Sequence, residues 1–262
     1  MRASHKHKLK RLLFSAALVT VCMSAVAGAA TKDSNQHFGF DVEFGAGWIA
    51  RNDVRIPGDT GTEFDMAELA GEGPEFLARL GGTWQINDAH SVRLVLAPLE
   101  VEGRGTLEQT TDFAGETFAA GMTDASYKFN TYKFSYRYTF AERDRWHWRV
   151  GVTAVIRDAD VDLRQGSLRA NDDNLGVVPT LHLSGEYRVS DQWRLSLDLD
   201  GLAGGPGRLF DAALKLDYVL SPRWRVSAGY RIVEGGVDTD DVYNFGWFNY
   251  AVLGLDYRFG TD

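Results

Sequence analysis

Ten segments of this 262-residue chain alternate apolar and polar side chains, and that period of two limits its fold more than any other feature. Successive side chains of a strand point to opposite faces. In residues 247–259, Trp247, Ala251, Leu253, Leu255, Tyr257 and Phe259 share one face, while Tyr250, Val252, Gly254, Asp256 and Arg258 share the other. The same pattern predicts strands at 38–50, 74–86, 91–102, 123–140, 145–157, 176–189, 193–202, 209–220, 224–234 and 246–259. Four connections (87–90, 141–144, 190–192 and 221–223) are tight and built from turn-forming residues. Four others (51–73, 103–122, 158–175 and 235–245) are long, and 203–208 is short and rich in glycine. Tight and long connections alternate strictly, which predicts an all-β, antiparallel up-and-down arrangement.

An apolar face can be buried in a core or turned out to lipid. Three features favour lipid. The apolar side chains are bulky on every strand, as in Tyr132, Phe134, Tyr136 and Tyr138 or Leu195, Leu197 and Leu199. Aromatic residues gather at strand ends: Trp146, Trp148, Trp193 and Trp224 open strands after tight turns, and Tyr257 and Phe259 close the last one. Such girdles belong to a membrane interface. The polar face carries arginines beside glycines, which suits long side chains reaching across a narrow lumen. The expected fold is a transmembrane β-barrel of about ten strands, an even count with short turns at one end and long loops at the other.

The N-terminus reads as a targeting segment. Basic Arg2, Lys6, Lys8, Lys10 and Arg11 precede an apolar stretch at 12–21, and Ala27-Gly28-Ala29 offers a cleavage site. Residues 1–30 are therefore expected to be a cleaved secretory signal, and 31–262 one barrel domain. Cys22, the chain's single cysteine, falls in the apolar stretch, and the bulky Val21 before it disfavours lipidation. Without residues 1–30, 23 basic residues stand against 36 acidic ones, a formal −13, which argues against nucleic-acid binding.

The polar face predicts a lumen whose opposite charges are close to balance. Arg79, Arg93, Arg137, Arg149, Glu186, Asp198, Asp217, Arg231 and Asp256 are the residues expected to form its cross-strand network and to set pore closure or selectivity. Buried charges must be paired. Pro98 predicts a bulge or frayed end in the third strand, and Pro179 is placed at the opening of the sixth. Alternation past Arg157 would turn Asp158, Asp160 and Asp162 outward, so that stretch must stand clear of the membrane. The outer loops are acidic (Asp53, Asp59, Glu63, Asp65, Glu68 and Glu72; then Asp238, Asp240 and Asp241) and lack the spacing of a calcium loop, so they are read as a solvated surface.

Tyr257-Arg258-Phe259 resembles the terminal signature of outer-membrane barrels that the barrel assembly machinery reads, although Gly260-Thr261-Asp262 follow the phenylalanine here. Residues 157–161 and 229–236 are similar to segments of small Gram-negative outer-membrane barrels. The resemblance implies an outer-membrane location, periplasmic termini, and contact with outer-membrane lipids and lipopolysaccharide. It implies no cofactor or metal, and it brings no chemistry. The His182-x-Ser184-x-Glu186 run resembles the outer-membrane lipid A deacylases, in which a histidine activates a serine. In that family the site faces lipid and an asparagine follows the serine, whereas this trio points inward and Gly185 follows. Residues two apart on a strand lie about 6.5–7 Å apart, too far for a direct hydrogen bond. The omptin proteases are similar in strand count and acidic loops, but none of His37, His90, His147 and His182 is placed at the outer rim to pair with an aspartate there. The leading expectation is a non-enzymatic barrel, either a narrow channel for a small solute or ion or a structural or surface-interaction protein. The alternative is a lipid-modifying hydrolase using His182, Ser184 and Glu186.

Overall fold

The computed structural model describes residues 37–259; the predicted leader, Cys22 and the last three residues lie outside the described residues. In chain order the elements are β1 (His37–Arg55), β2 (Phe64–Asp65), helix α1 (Met66–Ala70), β3 (Glu75–Gln85), β4 (His90–Ala97), β5 (Glu100–Leu107), β6 (Thr111–Phe113), β7 (Glu116–Phe118), β8 (Gly121–Glu142), β9 (Trp146–Gln165), β10 (Leu168–Arg188), β11 (Trp193–Gly204), β12 (Gly207–Val219), β13 (Trp224–Asp238) and β14 (Tyr243–Phe259). The long strands pair antiparallel with their neighbours, and β14 pairs with β1 from Phe38↔Phe259 to Arg55↔Tyr243, which closes the barrel. β4 and β5 both pair with β8 and form a single stave, so the barrel has ten.

The break between β4 and β5 falls at Pro98, where a residue without an N–H cannot donate to the ladder. Asn130 repairs the gap: Leu99 N donates to its Oδ1 at 3.2 Å, and Phe129 N donates to Leu99 O at 2.8 Å. Pro179 does not open a strand as expected. It lies inside β10, two residues past the last β11 pair at Leu181, where β10 keeps a partner on one side only.

The loops at 51–73, 103–122, 158–175 and 235–245 are more ordered than their polarity suggests. β9 and β10 stay paired without interruption as far as Gln165 and Leu168, and Gly166 turns the corner at φ 63°. β8, β9 and β10 have 22, 20 and 21 residues, against 12 in β11. A membrane-crossing strand needs about 9–11. The β8–β10 wall therefore stands well above β11 at the loop end, and Asp158, Asp160 and Asp162 lie on the part of β9 that pairs beyond the end of the β10–β11 ladder. Burial, with Asp173 and Asp160 adding their charge, pushes the nearby Asp172 carboxyl above its ordinary range. β1 also continues to Arg55, with an irregularity between Ile49 and Arg51 that turns Asn52 and Val54 inward.

The outer face is an exposed apolar belt that includes Phe44, Leu94, Phe134, Val152, Leu181, Leu214 and Leu253. A closed barrel with such a belt meets the requirement that every backbone polar group be satisfied within lipid. At the turn end the expected aromatics meet as directly opposed cross-strand pairs. Trp146 faces Tyr187, Trp193 faces Tyr218 and Trp224 faces Tyr257, with ring centroids 4.4, 4.8 and 4.6 Å apart. Trp148 lies over Gly185, the residue that leaves room for its ring. A double-mutant cycle with Trp224→Ala and Tyr257→Ala is expected to give a coupling of about 0.5–1.5 kcal/mol in unfolding experiments. Additive losses would show that lipid, not the partner ring, holds each residue.

Candidate functional site: the barrel interior

Inward side chains sort into three levels along the barrel axis. At the loop end the interior is apolar, contrary to the expectation of a charged lumen throughout. Ile49, Val54, Met66, Leu69, Val101, Tyr127, Leu163 and Phe248 belong to one buried cluster. Tyr127, Phe129 and Phe248 stack with centroids 5.3–6.3 Å apart. The cap is folded from the first two loops. Asp65 Oδ1 accepts from Ala67 N at 2.8 Å and caps α1, which buries Met66 and Leu69. The β6–β7 hairpin buries Phe113 and Phe118, and it is tied to the first loop by Ala114 N to Ile56 O at 3.0 Å and Thr62 N to Asp112 O at 2.9 Å. Several acidic loop residues have structural partners while staying partly exposed to solvent. Asp65 caps the helix, Asp53 pairs with Arg51, and Glu63 lies 3.4 Å from Arg55.

The middle level is a buried ionic layer. Asp211 Oδ2 accepts from Lys133 Nζ at 2.6 Å and from an Arg79 guanidinium nitrogen at 3.2 Å, and its Oδ1 takes Arg231 at 2.5 Å. Arg231 also donates to both oxygens of Glu43, at 2.7 and 3.1 Å. Lys133 reaches Asp200 Oδ2 at 2.7 Å, and Asp200 Oδ1 lies 2.8 Å from His182 Nδ1 and 2.8 Å from Thr153 Oγ1. Arg157, at the boundary with the cap, hydrogen-bonds Thr131 and lies 4.2 Å over the Phe129 ring.

Below it, a cavity of about 410 Å³ extends to the turn end, where His37, Pro222 and Phe259 form part of its rim. Arg93 forks onto both oxygens of Asp41, at 2.5 and 2.8 Å. Gly81 leaves room for that pair, since a Cβ there would lie 2.4 Å from the carboxylate. Glu186 is shared by Arg225 at 3.0 Å, Arg194 at 3.3 Å and Arg149 at 3.9 Å, and Asp217 lies 3.7 Å from Arg225.

The nine residues expected in the network thus fall on two levels. Arg79 and Arg231 are in the ionic layer; Arg93, Arg137, Arg149, Glu186, Asp198, Asp217 and Asp256 line the cavity. Glu43, Lys133, Asp200 and Asp211, which share the inward face but were not singled out, prove to be central partners. Period two gives the face; it does not give depth.

The trio His182, Ser184 and Glu186 is not brought together. His182 Nδ1 is engaged by Asp200, Glu186 by arginines, and Ser184 Oγ is buried with no hydrogen-bond partner. Ligating atoms of His182, Asp198 and Asp200 lie within 4.8 Å of one another, a grouping that could suit a metal ion. The fit is poor, because the Lys133 ammonium already holds Asp200 Oδ2 and His182 and Thr153 hold Oδ1.

No protein-family model matches the chain, and no curated protein matches it. Among solved structures it is similar to the outer membrane protease OmpT from Escherichia coli, with a TM-score of 0.50 at 11% identity over 88% of this chain and 99% of that one. It also matches an outer membrane channel from Pseudomonas putida F1 (TM-score 0.39, 9% identity, 88% and 97% of the two chains). A further match is Neisserial surface protein A (TM-score 0.36, 14% identity, 86% and 98%). At such identity the likeness to the protease is one of architecture: the chain has the fold of a ten-stranded antiparallel outer-membrane barrel.

Proposed function

We propose that this chain is a non-enzymatic barrel of a Gram-negative outer membrane, closed at rest, with a structural or surface-interaction role. Its tight turns and termini face the periplasm, in keeping with the rule that outer-membrane barrels put short turns inside and long loops outside. Outer-membrane lipids surround the belt, lipopolysaccharide meets the loop end, and the barrel assembly machinery inserts the chain. The observation that carries the reading is the apolar cap, built from two loops and seated over a buried ionic layer.

Planar-bilayer recording of the refolded barrel is the test. The expected result is a heat-modifiable barrel without reproducible current steps. Ion-selective steps would overturn closure and make the inward arginines and aspartates the filter of a narrow channel. One observation favours a hydrolase instead: His182 Nε2 and Ser184 Oγ are both buried without partners. Fatty-acid release from lipopolysaccharide that Ser184→Ala abolishes would establish it, with Asp200 in place of Glu186 as the histidine's partner.

A further inference from the structure

Seven arginine and lysine side chains and five carboxylates line the turn-end cavity, a local positive excess in a chain whose formal net charge is −8. Among the described residues the pairing leaves the Arg137 guanidinium without a carboxylate, and Asp198 and Asp256 without a cation. Arg93 is committed to Asp41, and Glu186 is shared among several arginines. Arg137 is only 6% exposed, its Nε has no partner, and its one hydrogen bond among the described residues is a long one, 3.4 Å to Thr83 Oγ1. No carboxylate lies within ion-pair distance of it among the described residues. Arg149 Nε and the Ser184 Oγ on the adjoining strand are likewise buried without partners. Arg137, Arg149 and Ser184 all line the same cavity.

We propose that this cavity is a binding site for a small oxyanion, a ligand carrying a phosphate or carboxylate group, held principally by Arg137 and Arg149. An unpaired buried guanidinium is costly, and it keeps its charge at any ordinary pH. Asp198 and Asp256 line the cavity too, without ion-pair partners among the described residues, and they limit where the anion sits. Of the buried guanidiniums in the cavity, Arg137 is the one with no carboxylate within ion-pair distance among the described residues. Their planar donor forks match phosphate and carboxylate oxygens. The cavity volume lies in the range of small-molecule sites and exceeds what a bare ion fills, so the rest of the ligand has space. Entry is from the turn end, because the ionic layer and the cap close the other side.

Thermal unfolding of the refolded barrel, titrated with inorganic phosphate and separately with acetate against chloride at constant ionic strength, tests the site. The wild-type midpoint should rise saturably. Arg137→Gln should weaken the effect about tenfold or more, and in chloride it should be at least as stable as the wild type. A response to phosphate alone assigns a phosphate group; a response to acetate assigns a carboxylate. Equal shifts in both proteins would reveal general salting effects and overturn the proposal. So would early unfolding of Arg137→Gln in chloride, which would make Arg137 a structural residue. Should that variant not refold, 31P line broadening of inorganic phosphate by the wild-type barrel decides instead, and its absence rejects the site for phosphate, leaving acetate NMR to do the same for carboxylate.

Discussion

Replacing Asp211 by alanine is expected to destabilise the barrel by about 3–5 kcal/mol, because breaking a buried ion pair from one side leaves the other charge uncompensated. Asp211 is 1% exposed and holds Lys133, Arg79 and Arg231 at 2.6, 3.2 and 2.5 Å. Its loss leaves three buried cations with Glu43 and Asp200 as their remaining nearby carboxylate partners. Denaturant unfolding in a detergent or lipid host, followed by tryptophan fluorescence, measures the loss. Adding Lys133→Met should recover part of it, since the second change removes one of the stranded charges. A loss below about 1 kcal/mol would mean that water already screens the layer as it does a surface pair. The interior would then be wetter than its burial indicates, and the closed-barrel reading would weaken with it.

The period-two pattern made the staves, the belt and the turn-end aromatics readable, because each depends on local order in sequence. Residues 247–259 show why: Trp247, Leu253 and Phe259 are exposed, while Tyr250 and Val252 are buried. The pattern could not show that Phe248, Tyr250 and Tyr127 meet inside a cap and not a polar lumen, because an inward aromatic and an inward arginine occupy the same phase. Their fate depends on which loop residues fold over them, and those come from elsewhere in the chain. One signal was present: Asp65-Met66-Ala67-Glu68 has the spacing of a helix N-cap with an acidic residue three positions on. The acidic character of residues 51–73 hid it. For the site, the inward set was readable, but the pairing was not. Arg231 finds Glu43 188 residues away and Asp211 only 20 away, and register across the closed barrel decides both.

Placing two carboxylates in the cap, Met66→Asp with Leu69→Asp, should expel α1 without unfolding the barrel. Both side chains are almost fully buried, at 0% and 2% exposure, and burying an ionised carboxylate there costs several kcal/mol per ion. A loop can escape that cost by moving into solvent, whereas the strands are held by ladders on both sides. Limited proteolysis should therefore cut between residues 57 and 73 in the variant and spare the wild type, while both stay heat-modifiable. The same variant separates the two closures. The small void in the ionic layer is about 40 Å³, room for only a few waters at about 10–15 Å³ each, so the layer should still block current after the cap is gone. Bilayer recordings of the variant are expected to stay silent. Conductance on release of the cap would place the whole seal in α1 and its apolar partners, and would turn the loop end from a plug into a gate.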